Sequence, residues 1–176
     1  KFWLSSFTIH GGSDFFYPLM MWKIFDVNTI GAGRFSFIIL ILILKFLLII
    51  LSYQLSKNLY LSKGSKLILF TILATSLISM CSYNVPLNYS YFSYRDIYII
   101  LFLIFFIELF KNNKFNTLIT IFISLISTIA IFFHFDIGSY INFILLCYVI
   151  YLLIVKKYKE IIIIFSSLII FWCLAI

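Results

Sequence analysis

The chain has 176 residues, of which 64% are hydrophobic and 11% are charged, whereas a soluble domain usually carries about 25% charged residues. A soluble domain of this size exposes much of its surface and cannot hide so much Ile, Leu and Phe from water. The composition therefore excludes a water-soluble globular domain and predicts an integral membrane protein.

The net charge of +7 comes from lysines that cluster between apolar runs, where membrane orientation explains them better than nucleic-acid binding. The sequence has no zinc-ligand spacing and no basic stripe with interleaved aromatic residues. We therefore expect no nucleic-acid partner and no metal site built on cysteines. Cys147 and Cys173 lie inside apolar runs, so they are predicted to be buried small hydrophobic residues.

Residues 1–34 are too polar to cross a bilayer and are predicted to form an extracytoplasmic loop. A short helix is expected from Asp14 to Phe25, with Ser13 or Asp14 as its cap. Its apolar residues recur at positions i, i+4 and i+7: Phe15, Leu19 and Trp22. This spacing predicts a helix that lies in the outer interface with its aromatic face in lipid. Two glycines within 28–33 predict a turn before the first membrane span.

Residues 35–176 contain six apolar runs that approach the roughly 20 residues needed to cross about 30 Å of hydrocarbon. They are Phe35–Leu55, Leu67–Tyr83, Phe92–Phe110, Phe115–Phe133, Ile137–Val155 and Ile161 to the end of the chain. Because lipid leaves no partner for an unpaired backbone group, such runs are expected to be helices. The predicted fold class is all-α, a polytopic transmembrane helix bundle with about six spans. Since the chain stops inside the sixth run, we expect that span to be truncated and the chain to be an internal piece of a longer protein.

The basic residues predict the orientation of this bundle. Eight lysines fall in the loops after the first, third and fifth spans, and four basic residues fall on the other side. The positive-inside rule then puts the lysine loops in the cytoplasm and the leading segment outside, together with the loops around Arg95 and His134. The predicted location is a bacterial inner membrane.

Most of the residues that could take part in catalysis or ligand binding fall on the predicted outer side: four of the six acidic residues and both histidines. The candidate catalytic residues are Asp14, Asp96 and Asp136. The candidate lipid-phosphate-binding residues are Arg34, Arg95 and His134. An arginine presents a forked set of donors that matches phosphate oxygens, and an aspartate near a hydroxyl can act as a general base. The cofactor is unknown, although an acidic residue can instead hold a divalent cation on the phosphate.

Each candidate also has a simpler explanation. Asp14 and Asp136 can serve only as caps, because a carboxylate at a helix N-terminus satisfies free amides and suits the helix dipole. Arg95 can pair with ordinary lipid phosphates, and His134 can be an interfacial histidine without a role. The sequence leaves these alternatives open.

Three short motifs carry a resemblance to a known class: Gly11–Pro18 (GGSDFFYP), Tyr94–Asp96 (YRD) and His134–Asp136 (HFD). With these motifs and its many short-looped spans, the chain resembles the GT-C class of membrane glycosyltransferases. The resemblance implies a polyprenyl-phosphate-linked sugar as donor and membrane lipid as partner. It also implies Asp14 as the catalytic base, with Asp96 or Asp136 assisting and Arg95 binding the lipid phosphate.

Other functions remain open at this stage. A polysaccharide polymerase, a ligase or a lipid-carrier flippase would also have many spans. A transporter without catalysis is a weaker candidate, because transporters show broken helices and polar residues near the midplane. This chain offers only Lys45 and Glu108 at such depth. We therefore expect a glycosyltransferase first.

Overall fold

The computed structural model describes residues 13–26, 29–80, 96–111 and 116–175. These four ranges form seven α-helices and contain no β-strand. We number the helices in chain order as α1 (Ser13–Phe25), α2 (Ile30–Asn58), α3 (Lys63–Met80), α4 (Ile97–Lys111), α5 (Thr117–Phe133), α6 (Phe135–Ile154) and α7 (Tyr158–Ala175). The predicted all-α class is confirmed.

The number of membrane spans is not confirmed. Within the described ranges, two segments are long and apolar enough to cross a membrane, Phe37–Asn58 in α2 and Phe135–Ile154 in α6. Helices α4 and α5 have 15 and 17 residues and measure about 22 and 25 Å, less than the hydrocarbon thickness of about 30 Å. Helices α3 and α7 have 18 residues each, but their first turns carry charged side chains.

The helix boundaries differ from the predicted ones at the start of α2. The helix begins at Ile30, so the turn predicted over 28–33 is wrong from residue 30 onward. Each glycine in a helix costs about 1 kcal/mol. Gly31 and Gly33 are nevertheless helical, because the long apolar run that follows them continues the helical hydrogen bonding. Helix α1 confirms the predicted short helix, but it begins at Ser13 rather than after it.

The described residues divide into two compact units, one within Asp14–Ile100 and the other within Leu101–Ile176. In the first unit, α2 and α3 pack against each other as a helical hairpin. The side chains of Leu44 and Leu48 on α2 are completely buried.

In the second unit, α5, α6 and α7 pack against one another. Their contact faces bury Ile123, Ile141, Leu152 and Ile164 almost completely. Aromatic rings of α4 extend this packing. Phe105 stacks on Phe122 of α5 with ring centroids 5.5 Å apart, and Phe106 meets the edge of Tyr148 of α6 at 5.4 Å.

The ends of these helices follow known capping rules. Asn116 precedes α5, and its Oδ1 atom accepts hydrogen bonds from the backbone amides of Leu118 and Ile119 at 3.1 and 3.4 Å. Helix α6 ends in a Schellman motif, in which the Lys157 amide donates to the Leu152 carbonyl at 2.9 Å and the Lys156 amide donates to the Leu153 carbonyl at 3.1 Å. This motif puts Lys156 in the left-handed region, at φ 61°.

The predicted burial of two cysteines is wrong, since Cys147 and Cys173 are both exposed. Cys147 lies on a face of α6 that also exposes Phe143, Leu146 and Ile150. An apolar run predicts burial of every residue only if the helix is surrounded by protein. These helices bury one face and leave another, equally apolar face exposed.

Candidate functional site

A hydrogen bond between two tyrosines links α1 to the start of α4 within the first unit. The hydroxyl oxygens of Tyr17 and Tyr98 lie 2.6 Å apart. Tyr98 is only 8% exposed, so this hydrogen bond is partly shielded from solvent and is stronger than one at an open surface. Asp14 precedes Tyr17 by one helical turn, and Asp96 precedes Tyr98 by two residues. The bond therefore joins the two helices at whose starts these aspartates lie.

Two further contacts orient α1 against the beginning of α2. The Trp22 Nε1 atom donates a hydrogen bond to the Thr29 carbonyl at 2.8 Å. The rings of Phe25 and Phe35 meet edge to face with centroids 6.4 Å apart, a favourable arrangement for aromatic pairs. Between these contacts the chain leaves α1 at Asp26, whose φ of 51° suits an aspartate better than most side chains.

The exposed face of α1 differs from the predicted one. Leu19 is exposed as expected, but Trp22 is half-buried and bonded to the backbone. The side chain of Phe15 lies outside the described parts of the structure; among the described side chains of α1, the exposed large apolar ones are Phe16, Leu19, Met20, Ile24 and Phe25. Residues 16, 20 and 24 follow at intervals of four, so they line one side of the helix. Periodicity indicated that α1 is amphipathic, but the structure shows that its inner side carries Tyr17, which is hydrogen-bonded to Tyr98, and the buried Met21.

The candidate residues of the first unit occupy different positions along their helices. Asp14 is the second residue of α1, and Arg34 is the fifth residue of α2; their side chains are not among the described parts of the structure. Asp96 lies directly before α4 and is half-buried. Arg95 lies outside the described residues. A carboxylate at the start of a helix is stabilised by the positive end of the helix dipole, which applies to Asp14 and Asp96 alike.

The other two candidates lie in the second unit, at the junction of α5 and α6. His134 is the single residue between these helices and has an extended backbone, with φ −145° and ψ 92°. Its amide donates to the Ala130 carbonyl at 2.7 Å, and its carbonyl accepts from the Gly138 amide at 2.8 Å. The junction is thus closed by backbone hydrogen bonds on both sides.

The two side chains of this junction differ in accessibility. His134 is 2% exposed, whereas Asp136 is exposed in the first turn of α6. A buried imidazole can stabilise the junction, while an exposed carboxylate is available to a ligand. The phosphate contact predicted for His134 and the catalytic role predicted for Asp136 stay predictions.

A row of buried hydroxyl groups on α5 was not singled out from the sequence. It consists of Thr120, Ser124, Ser127 and Thr128. The hydroxyls of Thr120, Ser124 and Thr128 donate to carbonyls one turn earlier, at 3.0 to 3.1 Å. Small hydroxyl residues let apolar helices approach closely. Their recurrence at intervals of three and four residues within an apolar run is the sequence pattern from which this row could have been predicted. Because these three hydroxyls are satisfied within their own helix, they serve packing; the buried Ser127 hydroxyl has no hydrogen-bond partner within the described ranges.

Within the described ranges, no three His, Cys, Asp or Glu side chains are grouped closely enough to hold a metal ion. The divalent cation considered from the sequence stays a prediction. Comparison with protein families, with curated protein sequences and with solved structures gives no match to this chain. The resemblance to GT-C glycosyltransferases therefore depends on the sequence motifs alone.

Proposed function

We propose that this chain is part of a multi-pass membrane protein, with α2 to α7 crossing the bilayer and α1 lying in the outer interface. The apolar character of α6 on all sides supports this. Its buried face holds Ile141 and Leu145, and its exposed face holds Phe143, Leu146 and Ile150. Only 33% of this segment is buried within the chain, whereas a helix that is hydrophobic all round needs an apolar environment on every side.

The shorter helices are compatible with this arrangement. A short helix can be matched to the bilayer by local thinning or by flanking side chains that extend to the headgroups, at a cost of fractions of a kcal/mol per Å. Lysines in the first turns of α3 and α7, such as Lys63 and Lys159, lie where headgroups would surround them. A bacterial inner membrane is the proposed location.

We further propose that the outer end of the bundle transfers a sugar from a polyprenyl-phosphate donor to an acceptor hydroxyl. The observation that supports this best is the Tyr17–Tyr98 hydrogen bond at 2.6 Å. It couples α1, whose second residue is Asp14, to α4, which Asp96 directly precedes. Two carboxylates on coupled helix starts can share the tasks of accepting a proton and orienting a hydroxyl.

In the proposed reaction, the Asp14 carboxylate takes the proton of the acceptor hydroxyl. The acceptor oxygen forms a bond to the anomeric carbon of the sugar, and the bond from that carbon to the phosphate oxygen breaks. The lipid phosphate leaves with the bonding electrons, and Arg95 and Arg34 stabilise its negative charge by paired hydrogen bonds. Asp96 is proposed to assist by orienting the acceptor.

The test is sugar transfer from a polyprenyl-phosphate donor by the full-length protein in nanodiscs. Asp14→Asn keeps the size and capping ability of the residue but cannot accept a proton, so we expect transfer to fall at least about 100-fold. Arg95→Lys keeps the charge but loses the fork of donors, so it should weaken donor binding.

The matched control is Asp26→Asn, which removes a carboxylate at the other end of α1. Asn tolerates the left-handed conformation of Asp26, so this variant should keep native transfer. If Asp14→Asn and Asp96→Asn are folded and transfer sugar as well as the control does, the catalytic assignment is wrong. A polymerase or ligase would instead extend or join glycans in this assay, and a flippase would move the lipid without forming a glycosidic bond.

A further inference from the structure

The connection between α2 and α3 combines positive charge with exposed apolar side chains. We call residues 57–66 the lysine loop; its cations are Lys57, Lys63 and Lys66. Its tip is formed by Leu59, Tyr60 and Leu61, which are 48%, 106% and 45% exposed. A loop in water does not gain by exposing three consecutive large apolar residues, so this tip suits a partly apolar environment.

Hydrogen bonds at both ends hold the lysine loop in shape. The Ser62 hydroxyl accepts from the Ser65 amide at 3.2 Å, capping α3. The Lys66 Nζ atom donates to the Lys57 carbonyl at the end of α2, at 3.1 Å. The Leu61 amide also donates to the Leu59 carbonyl, at 2.9 Å. These hydrogen bonds stabilise the turn between α2 and α3 that exposes the apolar tip.

The charge of the lysine loop has no counterion close in sequence. Between Asp26 and Asp96 the sequence contains no acidic residue. The connection between α6 and α7 differs, because Lys157 there pairs with Glu160 at 3.3 Å. A positively charged loop with apolar side chains at its tip is complementary to a surface in which anionic groups lie directly above an apolar layer.

We infer that the lysine loop binds the headgroups of anionic phospholipids in the bilayer that holds the protein. This inference rests on the proposed membrane location and not on the proposed catalysis. Leu59, Tyr60 and Leu61 enter the interface, where an amphipathic tyrosine is favoured. The lysine ammonium groups donate to phosphate oxygens, and each lysine near an anionic surface strengthens binding of its segment to that surface about fivefold.

A fluorescent reporter at the lysine loop tests this inference in the full chain. Asn58→Cys, in a background with the three native cysteines replaced by serine, carries a polarity-sensitive dye and leaves the apolar tip intact. The protein is reconstituted in nanodiscs of phosphatidylcholine mixed equally with phosphatidylglycerol. Quenching of the dye by spin-labelled phosphatidylglycerol is compared with quenching by spin-labelled phosphatidylcholine.

We expect the anionic lipid to quench several-fold more strongly, and this preference to fall as salt screens the charges. Lys57→Gln with Lys63→Gln should remove most of the preference. Lys66 is kept, because it also stabilises the end of α2. The matched control is Lys156→Gln with Lys159→Gln, which removes the same charge at the other connection and should leave the preference at the dye unchanged.

Equal quenching by both lipids in the unmutated protein would overturn the inference, as would a preference that persists in the Lys57→Gln, Lys63→Gln variant. If that variant does not fold, the salt titration of the unmutated protein decides, since a preference insensitive to salt is not electrostatic. A dye that iodide quenches fully and neither lipid quenches would contradict insertion of the loop. Iodide quenching is also measured in nanodiscs of phosphatidylcholine alone. Full quenching by iodide there means that the loop is not in the membrane. Protection from iodide there, together with equal quenching by the two spin-labelled lipids, means that the loop is in the membrane but does not prefer anionic headgroups.

Discussion

At the scale of single residues, Gly138 lies where the backbones of α6 and α5 approach closely. A Cβ atom placed on it would lie 2.3 Å from the Ile131 Cα atom and 2.8 Å from the Ala130 carbonyl carbon. Both are backbone atoms and cannot turn away as a flexible side chain does. The single-residue junction at His134 therefore depends on the absence of a side chain at position 138.

We predict that Gly138→Ala lowers the free energy of unfolding by about 1–3 kcal/mol, as overpacking does. The control is Gly64→Ala, because no atom lies within 4 Å of a Cβ atom built there. Gly64→Ala should stabilise α3 by about 0.5–1 kcal/mol, through the higher helix propensity of alanine. Unfolding in mixed detergent micelles measures both changes, and equal effects of the two substitutions would contradict the predicted steric clash.

Lys156 shows a second local constraint, since its φ of 61° is a conformation that glycine adopts at no steric cost. We predict that Lys156→Gly raises the free energy of unfolding by about 0.5–1 kcal/mol. Lys156→Ala removes the same charge without relieving the backbone, so it should bring no gain. If the two variants have the same midpoint of unfolding, the backbone conformation is not the source of the effect.

At the scale of helices, two hydrogen bonds of the described residues help to position α1. The Tyr17–Tyr98 hydrogen bond ties it to α4, and the Trp22 indole ties it to the Thr29 carbonyl. Its own exposed face is apolar, and a helix of 13 residues is short for independent stability in water. We therefore expect α1 to be ordered by these contacts together with the membrane interface.

A double-mutant cycle measures the tyrosine contact. Tyr17→Phe and Tyr98→Phe each remove one hydroxyl and keep the ring, so packing is preserved. We predict a coupling free energy of about 0.5–1.5 kcal/mol between the two substitutions. Strictly additive effects on unfolding would mean that the hydroxyl pair does not stabilise the contact of α1 with α4.

At the scale of the whole molecule, the orientation in the membrane is the prediction that most constrains function. The eight-to-four division of basic residues puts the lysine loop in the cytoplasm. Single cysteines replacing Ser65, in the lysine loop, and Ser93, in the predicted outer loop, report the two sides. Ser93 lies outside the described residues, and Ser65 is exposed.

In a background without native cysteines, a membrane-impermeant thiol reagent applied from outside intact cells should label the Ser93→Cys variant. The Ser65→Cys variant should react only after the membrane is permeabilised. The reverse pattern would put Asp14 and Asp96 in the cytoplasm and exclude an extracytoplasmic sugar transfer.

The helices could largely be predicted from the sequence, because each of the six apolar runs overlaps one of the helices α2 to α7; residues 81–83 and 92–95 of the second and third runs lie outside the described residues. The candidate site could be predicted only as a set of residue types. Spacing indicated that Asp14 begins a helix, but nothing in the sequence paired Tyr17 with Tyr98, 81 residues apart. From the sequence alone, nothing distinguished the accessibility of His134 from that of Asp136. In the structure His134 is buried and Asp136 is exposed.

The sequence by itself determined that the chain is helical and rich in apolar faces, because composition and run length fix how much surface must avoid water. It also determined the uneven distribution of charge along the chain. Only the tertiary structure decided which face of each helix is buried, since an all-apolar helix such as α6 carries no pattern that distinguishes its sides. Helix packing likewise decided that position 138 must lack a side chain, since close approach depends on the distance between two backbones and not on either segment alone.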